Sequence, residues 1–135
     1  MNRDGGAELI YCLGDVIGYG PKPVECLAIA RKHFQLTLKG NHEEMLEGYL
    51  SGRDRMTYLY NGGQQTLDSY LRRASASAPH PIPPEHLRFF QSLVLYHETE
   101  EFVFVHAGLR HGVPLDRQSV EDLLWFLSSR PGLAA

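Results

Sequence analysis

The chain has little cysteine, no long apolar run and no excess of positive charge. Its 135 residues hold two cysteines, Cys12 and Cys26. That is too few, at the wrong spacing, for a disulfide framework or a thiolate metal site, so both are expected to be reduced core thiols. No stretch approaches the roughly 20 consecutive apolar residues that cross a bilayer, which argues against a membrane partner. The first residues lack a basic region followed by an apolar core, so no leader is expected. A net charge of −3 and an isoelectric point near 6.1 leave no basic face for a nucleic-acid scaffold. No internal repeat is visible. What remains is a cytoplasmic globular protein of ordinary composition, 43% hydrophobic and 21% charged. Residues 1–135 are expected to form one domain or part of one.

The pattern along the chain alternates between the two regular structures. Residues 8–15 predict a buried strand. Residues 22–32 predict a helix opened by Pro21 and Pro23, with Val24, Leu27, Ile29 and Ala30 as its apolar face. Residues 34–40 predict a second strand, and the resulting βαβ unit should be parallel and right-handed. A helix is expected from Glu43 to about Leu50, and a break at Asn61-Gly62-Gly63 should precede another running through Tyr70-Leu71-Arg72. The segment 74–84, rich in Ala, Ser and Pro, reads as a loop. A short helix over 85–92 follows, then strands near 93–98 and 101–106 joined too closely for anything but an antiparallel hairpin. Ser119 opens a last helix carrying Leu123, Leu124 and Trp125. The fold class is therefore α/β, parallel at its start and antiparallel near its end.

Three strand-like runs end in polar residues able to bind a metal. Ile10-Tyr11-Cys12-Leu13 leads into Gly14-Asp15, Phe34 to Leu38 leads into Gly40-Asn41-His42-Glu43, and Phe102 to Val105 leads into His106-Ala107-Gly108. Each alone has a plain reading: a Gly-Asp pair is commonly a turn, and a strand-end histidine commonly a satisfied edge residue. Together, Asp, Asn and His form a complementary O/O/N donor set at the carboxyl edge of a sheet, where open α/β folds place their sites. Such a set suits metal-assisted hydrolysis. An imidazole beside that set, as at His42, can donate a proton to a leaving oxygen. The other histidines read as structural: His33 complements a helix dipole, while His80, His86 and His97 are expected to face solvent.

These blocks resemble the calcineurin-like metallophosphoesterases, for which Gly40-Asn41-His42-Glu43 is a specific signature. Asn61-Gly62-Gly63 with Thr66-Leu67, Phe104 to Arg110, Gly112 to Leu115 and Glu121 to Trp125 are similar to the bacterial PPP-type serine/threonine protein phosphatases. The front block, Gly14 to Pro21, is more similar to the predicted phosphodiesterases of the same superfamily. The resemblance implies a four-layer α/β/β/α sandwich around a two-metal site that holds Mn, Fe, Zn or Mg. By position, Asp15 would bridge the ions, Asn41 and His106 would bind the second, and His42 would be the general acid. Arg110 and Tyr19 would face the substrate, a phosphoprotein or small phosphoester attacked in line by a metal-activated hydroxide. A phosphodiester or a dinucleoside polyphosphate is the alternative substrate.

The departures from the family pattern are as informative. No Asp-x-His occurs, although the family's first strand ends in one, and no Gly-His strand follows Trp125. Gly18 stands where the PPP pattern has the carboxylate partner of the acid, Tyr19 where it has a phosphate-binding Arg, and Leu127 near the place of another. The chain is thus expected to carry the middle of a phosphoesterase. It could also be a non-catalytic remnant that serves only as a binding module. In either case the strand Leu9–Leu13 should be an exposed sheet edge prone to self-association.

Overall fold

The computed structural model describes residues 6–78 and 80–126; Leu127 lies outside them. The parallel unit is present in compact form. Strand β1 (Tyr11–Cys12) leads through helix α1 (Pro23–His33) to β2 (Leu36–Thr37). Tyr11 lies opposite Leu36 and Cys12 opposite Thr37, in parallel. The ladder is shorter than the expected runs of 8–15 and 34–40, because the glycines at both carboxyl ends turn the chain out of the sheet. Backbone bonds from Gln35 to Ile10 (3.1 Å) and from Leu38 to Cys12 (2.9 Å) extend it on either side.

Helix α1 begins with Pro23, carries Glu25 in its first turn and ends with Arg31, Lys32 and His33. This is the charge order the helix dipole favours. It buries Pro23, Leu27 and Ala30. Ile29, expected on the apolar face, is 53% exposed, because it falls off the stripe that positions 23, 27 and 30 define. Cys26 is likewise exposed and Cys12 half-buried; both thiols are free, so neither is a core thiol.

Helix α2 (Asn41–Leu50) starts two residues earlier than expected. Gly40 is extended, and the Glu43 carboxylate reaches back to accept its N–H at 2.8 Å. That one-sided cap, from the N3 carboxylate to the N-cap N–H, places Asn41 and His42 in the first helical turn. After α3 (Arg55–Tyr58), which the sequence pattern did not suggest, the helical path breaks at Asn61 and Gly62 before α4 (Gln64–Arg73). Helix α5 (Pro84–Ser92) precedes the hairpin of β3 (Tyr96–Glu98) and β4 (Val103–Val105), and α6 (Val120–Trp125) is capped by Ser119.

The core joins Ile17, Leu27, Met45, Leu46, Tyr58, Leu67, Tyr70 and Ile82. It is formed between α1, α2 and α4 and under the loop that follows β1. His86 is 7% exposed, not solvent-facing, and its Nδ1 meets the buried Tyr70 hydroxyl at 2.7 Å. Its place on α5 turns it inward, beside Leu87 and Phe90. His97 is half-buried, packing on Tyr11 at 5.3 Å between ring centroids, and Phe104 meets Tyr11 at 5.5 Å. The hairpin therefore lies face-on against the parallel pair, while Leu38 bridges to Val94 at its far side. Mixed α/β architecture with a parallel start and an antiparallel end is as expected. Among the described residues β1 has a strand neighbour on one side only.

Candidate metal centre

Two loops and one helix start deliver the candidate donors. Asp15 follows Gly14 at the end of β1, and both have left-handed backbones (φ 56° and 104°). Glycine tolerates that conformation freely, whereas Asp adopts it at a cost. Close approach explains the glycines here. A Cβ on Gly14 would lie 2.6 Å from the Gly40 nitrogen, and one on Gly40 would lie 2.2 Å from Asp15 Oδ1. Parallel neighbours β1 and β2 thus end side by side with no room for a side chain between their turns.

Glu43 holds this arrangement. It is 3% exposed, and its two oxygens accept from four backbone N–H groups: Asp15 (2.9 Å), Val16 (2.7 Å), Ile17 (3.4 Å) and Gly40 (2.8 Å). A buried carboxylate with this many donors ties the Asp15 loop to the start of α2. Sequence reading assigned Glu43 no role. The available signal was its place three residues after a glycine that ends a strand, the N3 position of a capping box.

The donors converge. His106, delivered by β4, directs Nδ1 at the Leu13 carbonyl (2.6 Å) and Nε2 at Asn41 Oδ1 (3.1 Å) and Asp15 Oδ2 (3.4 Å). With Nδ1–H donated to the carbonyl, the neutral ring turns a lone pair toward two oxygen acceptors. Three acceptors facing one point are mutually repulsive until a cation or a proton sits among them. The residues present therefore fit a divalent ion, and a backbone carbonyl fixing the tautomer is the usual support of a ligating histidine. Among the described residues no three His, Cys, Asp or Glu side chains form such a group; the set reaches three donors through the Asn41 amide.

The proton is the competing occupant. The hydrogen bond to Asp15 raises the His106 pKa above its ordinary value, against the opposing effect of burial and with help from the Leu13 carbonyl. Burial pushes the Asp15 carboxyl up, but hydrogen bonds from the His106 ring and the His42 N–H together outweigh it and hold the pKa below the usual carboxylate value.

His42 stands on the same helix turn. Its backbone N–H donates to Asp15 Oδ1 at 3.2 Å. Its ring Nδ1 is buried without a hydrogen-bond partner among the described residues. Gly18 faces that nitrogen: a Cβ there would lie 2.8 Å from Nδ1, at a φ of 129°. The position that holds a carboxylate in the resembled pattern is therefore adjacent to the ring, but its backbone here suits glycine. Tyr19 packs edge-on against His42 at 5.5 Å and is 62% exposed. Its loop is pinned from below, since Thr66 Oγ1 accepts from the Gly18 N–H at 3.1 Å and Gly62 leaves no space for a Cβ beneath Tyr19. Thr66 was read in the sequence only as part of a resemblance, and Gly62 also as part of a chain break before a helix. A cleft of about 400 Å³ runs from Asp15 and His42 along Gly18 to Pro23 and Cys26.

Arg110 points elsewhere. Its guanidinium makes a forked bond to Asp122, with Nε to Oδ2 at 2.8 Å and Nη2 to Oδ1 at 3.0 Å, and the Asp122 side chain is buried. Gln118 bonds the Arg110 backbone on both sides. The structure thus brings Asp15, Asn41, His42 and His106 together, with Tyr19 at the rim and Arg110 held by α6.

The family model for calcineurin-like phosphoesterases matches residues 1–133. An uncharacterized protein of Methanocaldococcus jannaschii is 31% identical over 113 residues, covering 81% of this chain and 42% of that protein. Serine/threonine-protein phosphatase 1 of Salmonella typhimurium is 34% identical over 56 residues, 42% of this chain and 26% of that protein. The crystal structure of a metallophosphoesterase from Sphaerobacter thermophilus superposes with a TM-score of 0.54 at 25% identity, over 82% of this chain and 40% of the other. The chain spans about two fifths of the length of the archaeal relative and of the solved structure, and about a quarter of the phosphatase.

Proposed function

The chain belongs to the calcineurin-like phosphoesterase family, and from that premise we propose that it carries donors of a metal-dependent phosphoesterase centre. In this reading Asp15, Asn41 and His106 hold a divalent cation, and His42 protonates the leaving oxygen of a phosphate ester. The observation that carries it is the convergence of Nε2, Oδ1 and Oδ2 from three separate elements on one point. A cation bound there supplies charge neutralisation on the phosphoryl group and activation of water at neutral pH. The chain's own residues supply the rest. Leu13 orients the imidazole, Glu43 positions the Asp15 loop, and the His42 ring lies beside the cleft that takes the leaving group. Arg110, held by its fork on Asp122, is left out of this reading.

Phosphoprotein hydrolysis is the leading substrate reading, supported by the partial likeness to the Salmonella phosphatase. The diester or dinucleoside-polyphosphate reading is favoured by a specific feature of the front loop. Gly18 leaves His42 Nδ1 without a carboxylate, and Tyr19 offers an exposed ring at the cleft instead of a second arginine.

Titration calorimetry with Mn tests the metal reading. We expect one ion per chain, bound weakly, because the described donors number three and share one point. Asp15→Asn and His106→Ala should each weaken binding by about tenfold or more. Two tightly bound ions, or affinity unchanged in both variants, would place the metal elsewhere. Hydrolysis of an aryl phosphate should be slow and fall about a hundredfold with His42→Ala. Turnover that survives this substitution would remove His42 from the mechanism.

A further inference from the structure

Two hydroxyl side chains are fully buried behind the loop that carries Gly18, and no step of the proposed reaction uses either. Thr66, on α4, accepts the Gly18 N–H at 3.1 Å and donates to the Gly18 carbonyl at 3.4 Å. One side chain thus holds both polar groups of one residue. Tyr58, at the end of α3, has a buried hydroxyl without a hydrogen-bond partner among the described residues. Burial pushes its phenol well up, against the Thr66 hydroxyl that faces it, with Glu43 and Tyr49 adding to the rise. Tyr58 is therefore a neutral O–H donor in the folded chain. It cannot turn away: a Cβ on Gly63 would lie 2.5 Å from its ring, and Tyr49 packs on it at 5.4 Å between centroids. Leaving that proton unpaired in the core is costly.

We propose that Tyr58 is a positioning residue for His42, which donates its proton to Thr66 Oγ1 and through Thr66 fixes the Gly18 peptide against the imidazole. The inventory of donors and acceptors matches this relay. A hydroxyl has one proton and two lone pairs. At Thr66 the proton goes to the Gly18 carbonyl and one lone pair to the Gly18 N–H, which leaves one lone pair for Tyr58. Gly18 in turn is the residue that His42 meets, since a Cβ there would lie 2.8 Å from Nδ1. A shift of the Gly18 peptide therefore changes what the ring packs on. The metal donors are held by other means, Asp15 through Glu43 and the His106 ring through Leu13. The catalytic meaning of the relay rests on the reading of His42 as the acid, while the relay itself rests on geometry alone.

Tyr58→Phe keeps the ring and removes the hydroxyl, and NMR of the full chain reads the result. The Gly18 amide should exchange roughly fivefold faster and the His42 ring resonances should shift. The Val16 amide, bound by Glu43, and the Mn affinity should stay as they are. Thr66→Val should act the same way but more strongly, about tenfold at Gly18, and Thr66→Ser should restore the protection. Adding Tyr58→Phe to Thr66→Val should change nothing further, because members of one relay are not additive. Unchanged exchange at Gly18 in Tyr58→Phe, or effects that add in the double variant, would overturn the proposal. So would an equal loss of protection at Val16, or His42 resonances that do not move. Turnover insensitive to His42→Ala would remove the acid reading and leave these exchange results standing.

Discussion

The loop after β1 and the loop after β4 each deliver one donor to the same point, but they are held in different ways. The first, Gly14 to Tyr19, is fixed through its backbone: Glu43 accepts four of its and its neighbour's N–H groups, and Thr66 and Gly62 support it from α4 and the turn before it. The second, His106 to Arg110, is fixed at its ends. Leu13 takes the imidazole, Leu123 O accepts the Ala107 N–H, and Asp122 takes the guanidinium. The first loop depends on one buried carboxylate, while the second divides its support among three partners. A single substitution should therefore undo the first and only loosen the second.

The largest effect is expected at Glu43. Glu43→Ala leaves four inward-facing N–H groups without their acceptor and should cost about 3–4 kcal/mol of unfolding free energy. Denaturant titration reads it directly, and Mn affinity should fall with it because the Asp15 loop is released. Glu43→Gln, with one acceptor oxygen, should sit between the two. A loss below about 1 kcal/mol in Glu43→Ala would mean that the loop is held by its glycines and Thr66 rather than by the carboxylate.

Arg110→Ala sharpens the contrast from the other side. It removes a forked bond to buried Asp122 from a guanidinium that is itself half exposed and screened by solvent, so the loss of stability should be clearly smaller than that of Glu43→Ala. Mn affinity should be nearly unchanged, since His106 keeps its carbonyl. A drop in affinity as large as that of Glu43→Ala would show that the two loops are equally fragile.

Smaller effects follow from pH. The His106 pKa is raised in the fold, so the stability it contributes with Asp15 is complete below the unfolded value near 6.5 and is lost as pH rises through its folded value. Asp15 is lowered, so its part is present above about pH 4 and lost as pH falls through its folded value. Without metal, this pair should favour the fold most between those limits. With Mn the trend above pH 6.5 should reverse, because metal and proton compete for Nε2. Thermal melts with and without Mn measure both.

The smallest effect is at His86. Burial, then Arg31, lowers its pKa, so the fold loses stability as pH drops below about 6.5, where the unfolded chain takes up the proton first. His86→Leu should flatten that acid limb, and an unchanged slope would show that the Tyr70 contact opens before the ring is charged.

Much of this was legible in the residues. Asp15 and Asn41 were readable together because a parallel βαβ unit must bring its strand ends to one edge, while His106, from the hairpin, joined them only as the nitrogen of a complementary donor set. The hairpin was readable because the two residues between the expected strands permit nothing else. Glu43 was missed because its partners are all backbone N–H groups, most of them 26–28 positions away, and its only local trace is the N3 place after Gly40. His86 was misplaced because a single polar residue on an amphipathic helix reads as solvated. Only its position over Tyr70 turns it inward.

What the sequence determined by itself was local: which runs extend, which coil, and which short polar residues end them. Those choices depend on neighbours a few residues apart, through periodicity, caps and the conformational freedom of glycine. The tertiary structure alone decided that Nε2 of His106 faces two oxygens rather than solvent, that His42 Nδ1 meets an empty glycine position, and that Arg110 is spent on Asp122. Each of these depends on contacts between segments 12 to 91 residues apart, where a shift of an ångström changes the partner and no spacing in the chain records it.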